Sequence, residues 1–348
     1  MGVDSGGGGL GVGLAEDGPR PPELAPDKAG LARGVLGQFG RKDFWILAAR
    51  VSGVLLLLYV ITRKVVFWTP DAVFLILLAL FAIFGQSRVF LKRLGPFLAL
   101  LMLYQSFAGI ADDLNDNVHY TAMIEFDRWL AGGGLPTEWL QERLWRGGDR
   151  WYDFYFYVLY TFHFVAPLVL GTVLWKKRPA MYWPFVLCFV GLSLAAFATY
   201  LAYPAAPPWM AAQEGHIEPI QRVTGSVWSA IGGGSYDSFY RQLSPNAVAA
   251  VPSLHSAYPL LFALFAAKAF GWRWVWPLLL YPVSIWVGVV YFGEHYVVDV
   301  LLGIVYALGA YFVVPKVVAR FRQRQDGADQ TTHFSLRRSA SRARHPGG

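Results

Sequence analysis

The sequence predicts an all-α fold: a polytopic membrane protein of about eight transmembrane helices. The chain of 348 residues is 55% hydrophobic and only 15% charged, whereas soluble globular proteins carry about 25% charged residues. Its mean hydropathy is +0.38. The 14 Trp and 18 Tyr residues are typical of the aromatic belts that membrane proteins place at the lipid–water interface.

Apolar runs of membrane length follow one another along the chain. Segments of about 17 to 25 apolar residues are long enough to cross the hydrocarbon core of a bilayer as helices. The predicted segments cover residues 44–62, 71–87, 95–111, 154–175, 183–203, 252–270, 274–292 and 296–316. We therefore expect two N-terminal transmembrane helices within 43–94 and a membrane domain over 95–317 that contains the other six.

Four other stretches lack such runs. Residues 1–42 and 318–348 are rich in small, polar or charged residues, and we expect both to be disordered tails. The long connections 112–153 and 204–251 are rich in aromatic residues, Gly and Pro, and neither is apolar enough to span a membrane. They are predicted to be loops outside the bilayer.

Basic residues near the ends of the apolar segments predict the orientation of the chain. Lys and Arg are enriched in cytoplasmic loops, and here they follow the second, fourth and sixth segments, as at Arg88, Lys176 and Arg273. Both termini are therefore predicted to be cytoplasmic, with both long loops on the extracytoplasmic face of a cell membrane. Because these flanks and the tails explain the net charge of +7, we expect no nucleic-acid partner.

Two short sequences place His and Asp residues at the ends of apolar segments. One is Pro252-Ser253-Leu254-His255, and the other is His295-Tyr296-Val297-Val298-Asp299-Val300. An ionisable group at the centre of a membrane helix costs about 2.5 to 3.5 kcal/mol on insertion scales, so groups that are retained there indicate function. The predicted orientation places both sequences at the extracytoplasmic face.

The spacing of these residues predicts their chemistry. His295 and Asp299 are four residues apart, which places them on one face of a helix. A carboxylate that accepts a hydrogen bond from one ring nitrogen fixes the tautomer and leaves the other nitrogen as a nucleophile or base. Ser253 is expected to cap a helix whose N-terminus suits a phosphate, and His255 can protonate a leaving group. The set lacks a third metal ligand, so we expect no metal and no other cofactor.

These two sequences resemble the second and third motifs of the type 2 phosphatidic acid phosphatase (PAP2) superfamily. The His-Tyr-x-x-Asp-Val form, followed by Gly303, is most similar to the branch that contains inositol phosphorylceramide synthases and sphingomyelin synthases. The resemblance implies a six-helix PAP2-like catalytic core. It also implies that His295 is the nucleophile of a phosphohistidine intermediate, Asp299 its orienting partner and His255 the proton donor.

The resemblance is incomplete where the family binds phosphate. Classical phosphatases carry Ser-Arg before the nucleophile, and this chain has Gly288 and Val289 there. Arg178-Pro179 is similar to part of the first motif, but the Lys that should precede it is Gly171, and it falls on the cytoplasmic side. Missing cations favour a phosphodiester, which carries one charge. The substrate-binding candidates are Ser253, Arg241, Arg222, Tyr203, Tyr200 and Asn246.

Other ionisable residues carry weaker signals. His163, inside the segment 154–175, is expected either to make a core hydrogen bond or to face the site and support its catalytic residues, and we favour the structural role. Asp127, in Phe126-Asp127-Arg128-Trp129-Leu130, is expected to cap or anchor an interfacial amphipathic helix.

Three hypotheses for function follow. The first is a phosphotransferase that moves a head group of the inositol phosphate type from a membrane lipid. The second is a lipid phosphatase acting on phosphatidic acid or a polyprenyl (pyro)phosphate, with water as acceptor. The third is a transporter, which the apolar sequence Val300-Leu301-Leu302-Gly303-Ile304 after Asp299 disfavours. No obligate protein partner is evident, and ceramide, a glycerolipid, a glycan lipid and water are open as acceptors.

Overall fold

The computed structural model describes residues 41–62, 70–100, 117–163, 165–233, 235–236 and 246–343. Over these residues the fold is helical, and extended pairing is limited to isolated bridges. The chain divides into two compact units, Met1–Ala49 and Arg50–Gly348. The described part of the first unit is the beginning of helix α1, and most of the predicted N-terminal tail lies outside the described residues.

Helices are present in each of the eight predicted apolar segments. In chain order, the helices of the described residues, including those of the long connections, are α1 (Arg41–Thr62), α2 (Pro70–Ile83), α3 (Ser87–Arg93), α4 (Thr121–Ala131), α5 (Pro136–Leu144), α6 (Trp151–Phe162), α7 (Ala166–Lys177), α8 (Pro179–Ala202), α9 (Pro208–Gln213), α10 (Val223–Ala230), α11 (Leu254–Phe270), α12 (Trp272–Val275), α13 (Leu280–Tyr291) and α14 (Val297–Ala343). Residues 95–100 are also helical, and a 3₁₀ turn joins α12 to α13.

Among the described residues, two helices are long and apolar enough to cross a membrane. They are α8 and the part of α14 over Val297–Phe321. Helices α6 and α7, bent by 55°, form a third if the pair is one broken span, and α11 and Trp276–Tyr291 are shorter apolar helices. The all-helical fold with apolar spans is thus confirmed, while the count of eight spans and the six-helix core stay predictions.

The segment predicted as one span over 154–175 is broken into α6 and α7. Pro167 lies at the start of α7, where it lacks an N–H group and its ring would clash with the carbonyl four residues earlier. That carbonyl belongs to His163, which is the residue that ends α6. The break therefore has a local cause, and it turns the chain at His163.

Helix α14 is longer than the last predicted segment. It continues to Ala343, through most of the stretch 318–348 that the sequence predicts to be a disordered tail. Arg, Gln and Ala residues are frequent there, and these side chains have favourable helix propensities. The helical backbone of this stretch differs from the prediction.

Helices α11 and α14 meet at Gly303 without room for a side chain. A Cβ atom at Gly303 would lie 2.1 Å from Ser256 Oγ and 2.3 Å from the Ser253 carbonyl oxygen. Small residues at a crossing allow two membrane helices to approach closely. Since α11 begins within one motif and α14 begins within the other, this crossing sets the distance between the two motifs.

The two long predicted loops are folded and joined to each other. The first contains α4 and α5, and the second contains α9 and α10. The Gln141 side chain donates to the carbonyls of Gln221, at 2.7 Å, and Tyr291, at 2.8 Å, and accepts from the Gln221 amide at 2.8 Å. One buried amide therefore links both loops to the end of α13, close in sequence to His295.

Candidate active site

The two motif histidines meet across the contact between α11 and α14. His255 Nδ1 lies 3.2 Å from His295 Nε2, which is a hydrogen-bond distance. His255 is the second residue of α11, and His295 lies in the turn before α14. The structure therefore brings together two rings that are 40 residues apart in sequence.

Ser253 caps the helix that carries His255. Its side chain accepts a hydrogen bond from the Ser256 amide at 3.3 Å, and its own amide donates to the Asp299 carbonyl at 3.0 Å. The predicted N-cap is confirmed. The second motif is also tied directly to the backbone of the third.

His295 lies between two acceptors on one side of its ring. Its Nδ1 atom is 3.1 Å from the Ala250 carbonyl oxygen and 3.4 Å from Asp299 Oδ2. Because both neighbours only accept, Nδ1 carries the proton and Nε2 presents a lone pair. The predicted contact with Asp299 is present, although His295 precedes the helix and is not on its face.

Asp299 is fully buried and takes part in the helix end. Its Oδ2 atom accepts a hydrogen bond from the Tyr296 amide at 2.8 Å. A side chain in the first turn that bonds back to the residue before the helix is the second half of a capping box. One carboxylate oxygen therefore serves both the helix end and the His295 ring.

The ring of His255 is held between two residues at the break after α6. Tyr160 stacks on it with centroids 4.2 Å apart and planes 10° apart, and the His163 ring lies 4.0 Å away. His163 Nδ1 is 2.6 Å from the Tyr160 carbonyl oxygen. Sequence reasoning gave Tyr160 no role, and the signal that could have revealed this pair is Pro167, which places the break here.

Three other predicted site residues form hydrogen bonds with the backbone or stack on another ring. Tyr200 donates to the Pro252 carbonyl at 2.7 Å, which fixes the approach to the second motif. The Asn246 side chain accepts from a nearby backbone amide at 3.0 Å. Tyr203 stacks on His119 with centroids 3.9 Å apart. Their assignment to substrate binding stays a prediction.

Arg222 is paired with a buried carboxylate beside the nucleophile candidate. Its Nε atom lies 3.0 Å from Glu294 Oε1, and Thr224 donates to the same oxygen at 2.6 Å. The guanidinium also lies 3.9 Å from the centre of the Trp209 ring. Glu294 directly precedes His295 in sequence, and the charge of Arg222 is engaged by Glu294.

The positions that hold Ser-Arg in classical phosphatases have other tasks here. A Cβ atom on Gly288 would lie 3.0 Å from the Phe156 ring. Val289 is buried, and its carbonyl accepts from the amides of Glu294, at 3.1 Å, and His295, at 3.2 Å. These positions supply packing and turn geometry, and not a cation. Arg241, the other predicted replacement cation, lies outside the described residues.

Asp127 binds the start of α14 from a distant helix. Its Oδ2 and Oδ1 atoms accept from the amides of Val297, at 2.8 Å, and Val298, at 3.0 Å. Burial raises the pKa of Asp127 to about 6, although these two hydrogen bonds oppose the change. The sequence predicted that this residue caps or anchors its own helix. It caps another helix instead, and no local pattern reveals that partner.

The arrangement is suited to nucleophilic catalysis at phosphorus. It offers an imidazole nitrogen with a fixed tautomer, a second imidazole in hydrogen-bond contact and a buried orienting carboxylate. In the part of the chain that the structure describes, no group of three or more His, Cys, Asp or Glu residues is placed to hold a metal ion.

Comparisons with known proteins identify the family of the chain. A family model described as the PAP2 superfamily matches residues 121–313, more than half of the chain. A phosphoinositol dihydroceramide synthase of Bacteroides thetaiotaomicron is 39% identical over 153 residues, which are 41% of this chain and 49% of the relative. An inositol phosphorylceramide synthase of Candida albicans is 28% identical over 155 residues, 42% of this chain and 32% of the relative. The matches thus span half or less of these relatives' lengths, and no solved structure matches significantly.

Proposed function

Because this chain belongs to the PAP2 superfamily, we propose that it is a membrane phosphotransferase that acts on lipid phosphoesters through a phosphohistidine intermediate. The observation that carries the proposal is the contact between His255 and His295, with Nε2 of His295 left unprotonated by the acceptors around Nδ1. A nucleophile, a proton donor and an orienting carboxylate are the groups that such a reaction requires.

In the first half-reaction, His295 Nε2 attacks the phosphorus of the donor lipid. The bond between phosphorus and the oxygen of the lipid remainder breaks, and His255, in its protonated form, gives a proton to that oxygen. Asp299 stabilises the positive charge that develops on the His295 ring, because its carboxylate lies 3.4 Å from Nδ1. The products are a free lipid alcohol and phosphohistidine.

In the second half-reaction, an acceptor hydroxyl attacks the phosphohistidine. His255, now neutral, takes the hydroxyl proton, and the bond between phosphorus and Nε2 breaks. The transferred group leaves on the acceptor, and both histidines return to their starting protonation states. The same residue thus acts as acid and then as base.

Substrate entry must separate the two histidines. A reacting phosphorus lies about 3 to 3.5 Å from its attacking atom, and the two ring nitrogens are themselves only 3.2 Å apart. No phosphoryl group fits between them in this arrangement. We propose that the structure is the resting state and that the donor phosphate displaces the hydrogen bond between the rings.

The donor is proposed to be a phosphodiester lipid with an inositol-type head group. The two positions that carry Ser-Arg in classical phosphatases are Gly288 and Val289, and Arg222 is engaged by Glu294. A phosphodiester needs less positive charge around it than a phosphomonoester. The names of the two relatives, phosphoinositol dihydroceramide synthase and inositol phosphorylceramide synthase, support the same head group. They also support a lipid hydroxyl as acceptor.

The proposal predicts transfer of labelled inositol phosphate. We expect the purified full chain, in vesicles that contain phosphatidylinositol labelled in the inositol ring and a ceramide, to place the label on the ceramide. The same preparation should release little phosphate from phosphatidic acid. Lipids separated by chromatography give the first quantity, and a phosphate assay gives the second.

The outcomes of this assay divide the hypotheses. Label transferred to a glycerolipid or glycan lipid, and not to ceramide, would keep head-group transfer and change the acceptor. Phosphate release from phosphatidic acid without any label transfer would replace the transferase by the lipid phosphatase. Neither reaction, with a folded protein, would contradict both.

We also propose the membrane arrangement that charge predicts. Residues 95–317 would form the catalytic domain with a six-helix core, after two helices within 43–94, and both termini would be cytoplasmic. The basic flanks of the apolar segments support this orientation. The active site would then open to the extracytoplasmic face of the cell membrane.

Single cysteines test this orientation. Ser235 is exposed in the second long loop, Lys177 is exposed at the end of α7, and the native Cys188 is buried. An impermeant thiol reagent should label Ser235→Cys in intact cells and label Lys177→Cys only after permeabilisation. The opposite pattern would reverse the proposed orientation.

A further inference from the structure

The backbone amides at the start of α14 are capped by two carboxylates from different parts of the chain. The first amides of a helix have no partner within it. Here the Tyr296 amide donates to Asp299, whereas the amides of Val297 and Val298 donate to Asp127. The N-terminal end of this helix is thus occupied by protein groups and is not available to a phosphate.

Asp127 reaches this site from α4, in the first long loop. It is 170 residues from Val297 in sequence and is fully buried. Trp129 and Leu130, on the same helix, are exposed. Helix α4 buries Asp127 together with Met123 and Ile124, and the Asp127 carboxylate binds the backbone of α14.

The geometry of the contact is well suited to positioning. Each carboxylate oxygen of Asp127 accepts from a different amide, at 2.8 and 3.0 Å. Two charge-assisted hydrogen bonds to consecutive amides fix both the place and the direction of a helix end. The positive end of the helix dipole adds to the attraction.

The two amides lie between His295 and Asp299 in sequence. A shift of this helix end would change the distance of 3.4 Å between His295 Nδ1 and Asp299 Oδ2. In the described part of the chain, the hydrogen bonds of Asp127 go to these amides, so its contact with the histidine motif is made through the backbone. We propose that Asp127 is a positioning residue that holds the His295–Asp299 pair in its reactive arrangement. This inference rests on the function proposed above.

Kinetics of Asp127 variants test the inference. The isosteric change Asp127→Asn keeps one acceptor oxygen, and Asp127→Ala keeps none. In the vesicle assay we expect kcat to fall about 10-fold for asparagine and about 100-fold for alanine, because misplacing a reacting group by about 1 Å can cost 100-fold. KM for the donor lipid should change by less than about two-fold, since the substrate is not contacted.

Two matched variants on α4 separate positioning from stability. Glu125 is exposed and Ile124 is buried on the same helix. Glu125→Gln removes a charge from α4 and should match the wild type. Ile124→Ala weakens packing, so it should lower the melting temperature while the folded fraction keeps its kcat. Asp127→Asn should lose kcat at temperatures where it is fully folded.

Each result bears on the inference. It is overturned if the Asp127 variants keep wild-type kcat, if KM alone changes, or if their losses follow the folded fraction as for Ile124→Ala. If Asp127→Ala does not fold, the asparagine variant decides. His295→Ala, measured in parallel, isolates the cause: an active His295→Ala protein contradicts the proposed function, whereas normal Asp127 variants beside an inactive His295→Ala contradict only this inference.

Discussion

Replacing His295 with alanine is expected to abolish head-group transfer. The variant has no nitrogen to attack phosphorus, and removal of a covalent nucleophile costs about 10⁴-fold or more in kcat. Labelled donor lipid should leave a covalent label on the wild-type protein when acceptor is withheld, and none on His295→Ala. Both quantities can be measured on one preparation.

His216 provides the matched control. It is exposed in the second long loop, away from either motif in sequence. His216→Ala should transfer and label as the wild type does. Full activity or full labelling of His295→Ala would show that another residue is the nucleophile, and the mechanism proposed here would then be wrong.

The second large effect is expected from Gly303→Ala. The added methyl group would lie 2.3 Å from the Ser253 carbonyl oxygen, and backbone at that distance cannot move aside cheaply. Helices α11 and α14 must separate, which carries His255 away from His295. We expect kcat to fall about 100-fold, with a loss of about 1 to 3 kcal/mol in unfolding free energy from overpacking.

Gly309 is the matched control on the same helix. Among the described residues, and apart from the neighbouring backbone of its own helix, no atom lies within 4 Å of a Cβ placed there. Gly309→Ala should therefore keep activity and gain about 1 kcal/mol of helix propensity. Activity assays and thermal unfolding of both variants provide the comparison. Wild-type kcat in Gly303→Ala would mean that the crossing does not set the distance between the histidines.

The sequence predicted that His255, His295 and Asp299 lie together because the signals for these residues are local. Pro252-Ser253-Leu254-His255 carries a cap and a ring within four residues, and the spacing of His295 and Asp299 is short. Such patterns involve only residues that are close together in sequence. The helical fold was predicted for the same reason, since runs of apolar residues need no knowledge of distant contacts.

The surroundings of the site could not be predicted, because they come from distant segments. Asp127, Ala250 and Tyr160 touch the motifs only after the chain has folded. The sequence does not distinguish a carboxylate of an amphipathic helix that faces water from one that binds the end of another helix. Sequence alone also could not pair Arg222 with Glu294, since each charge has many other possible partners.

The break between α6 and α7 could be predicted from the sequence only in part. Pro167 is visible in the sequence, and proline is a known cause of helix breaks. The contacts of its neighbours are not visible in the sequence, because no local pattern shows that the His163 and Tyr160 rings lie against His255. Pro167 thus predicts that the chain bends, whereas only the tertiary structure shows which side chains near the bend contact His255.

The contact between the two histidines has a consequence for selectivity. In the resting state proposed above, His255 would act as an internal ligand of His295, and an incoming phosphate would have to compete with it. Water or a small phosphate ester makes few other contacts and is a weak competitor. A lipid gains binding free energy from its chains and head group, and that energy can be used to part the rings. The pair would thus discriminate by the size of the whole substrate, and would disfavour futile reactions with small esters.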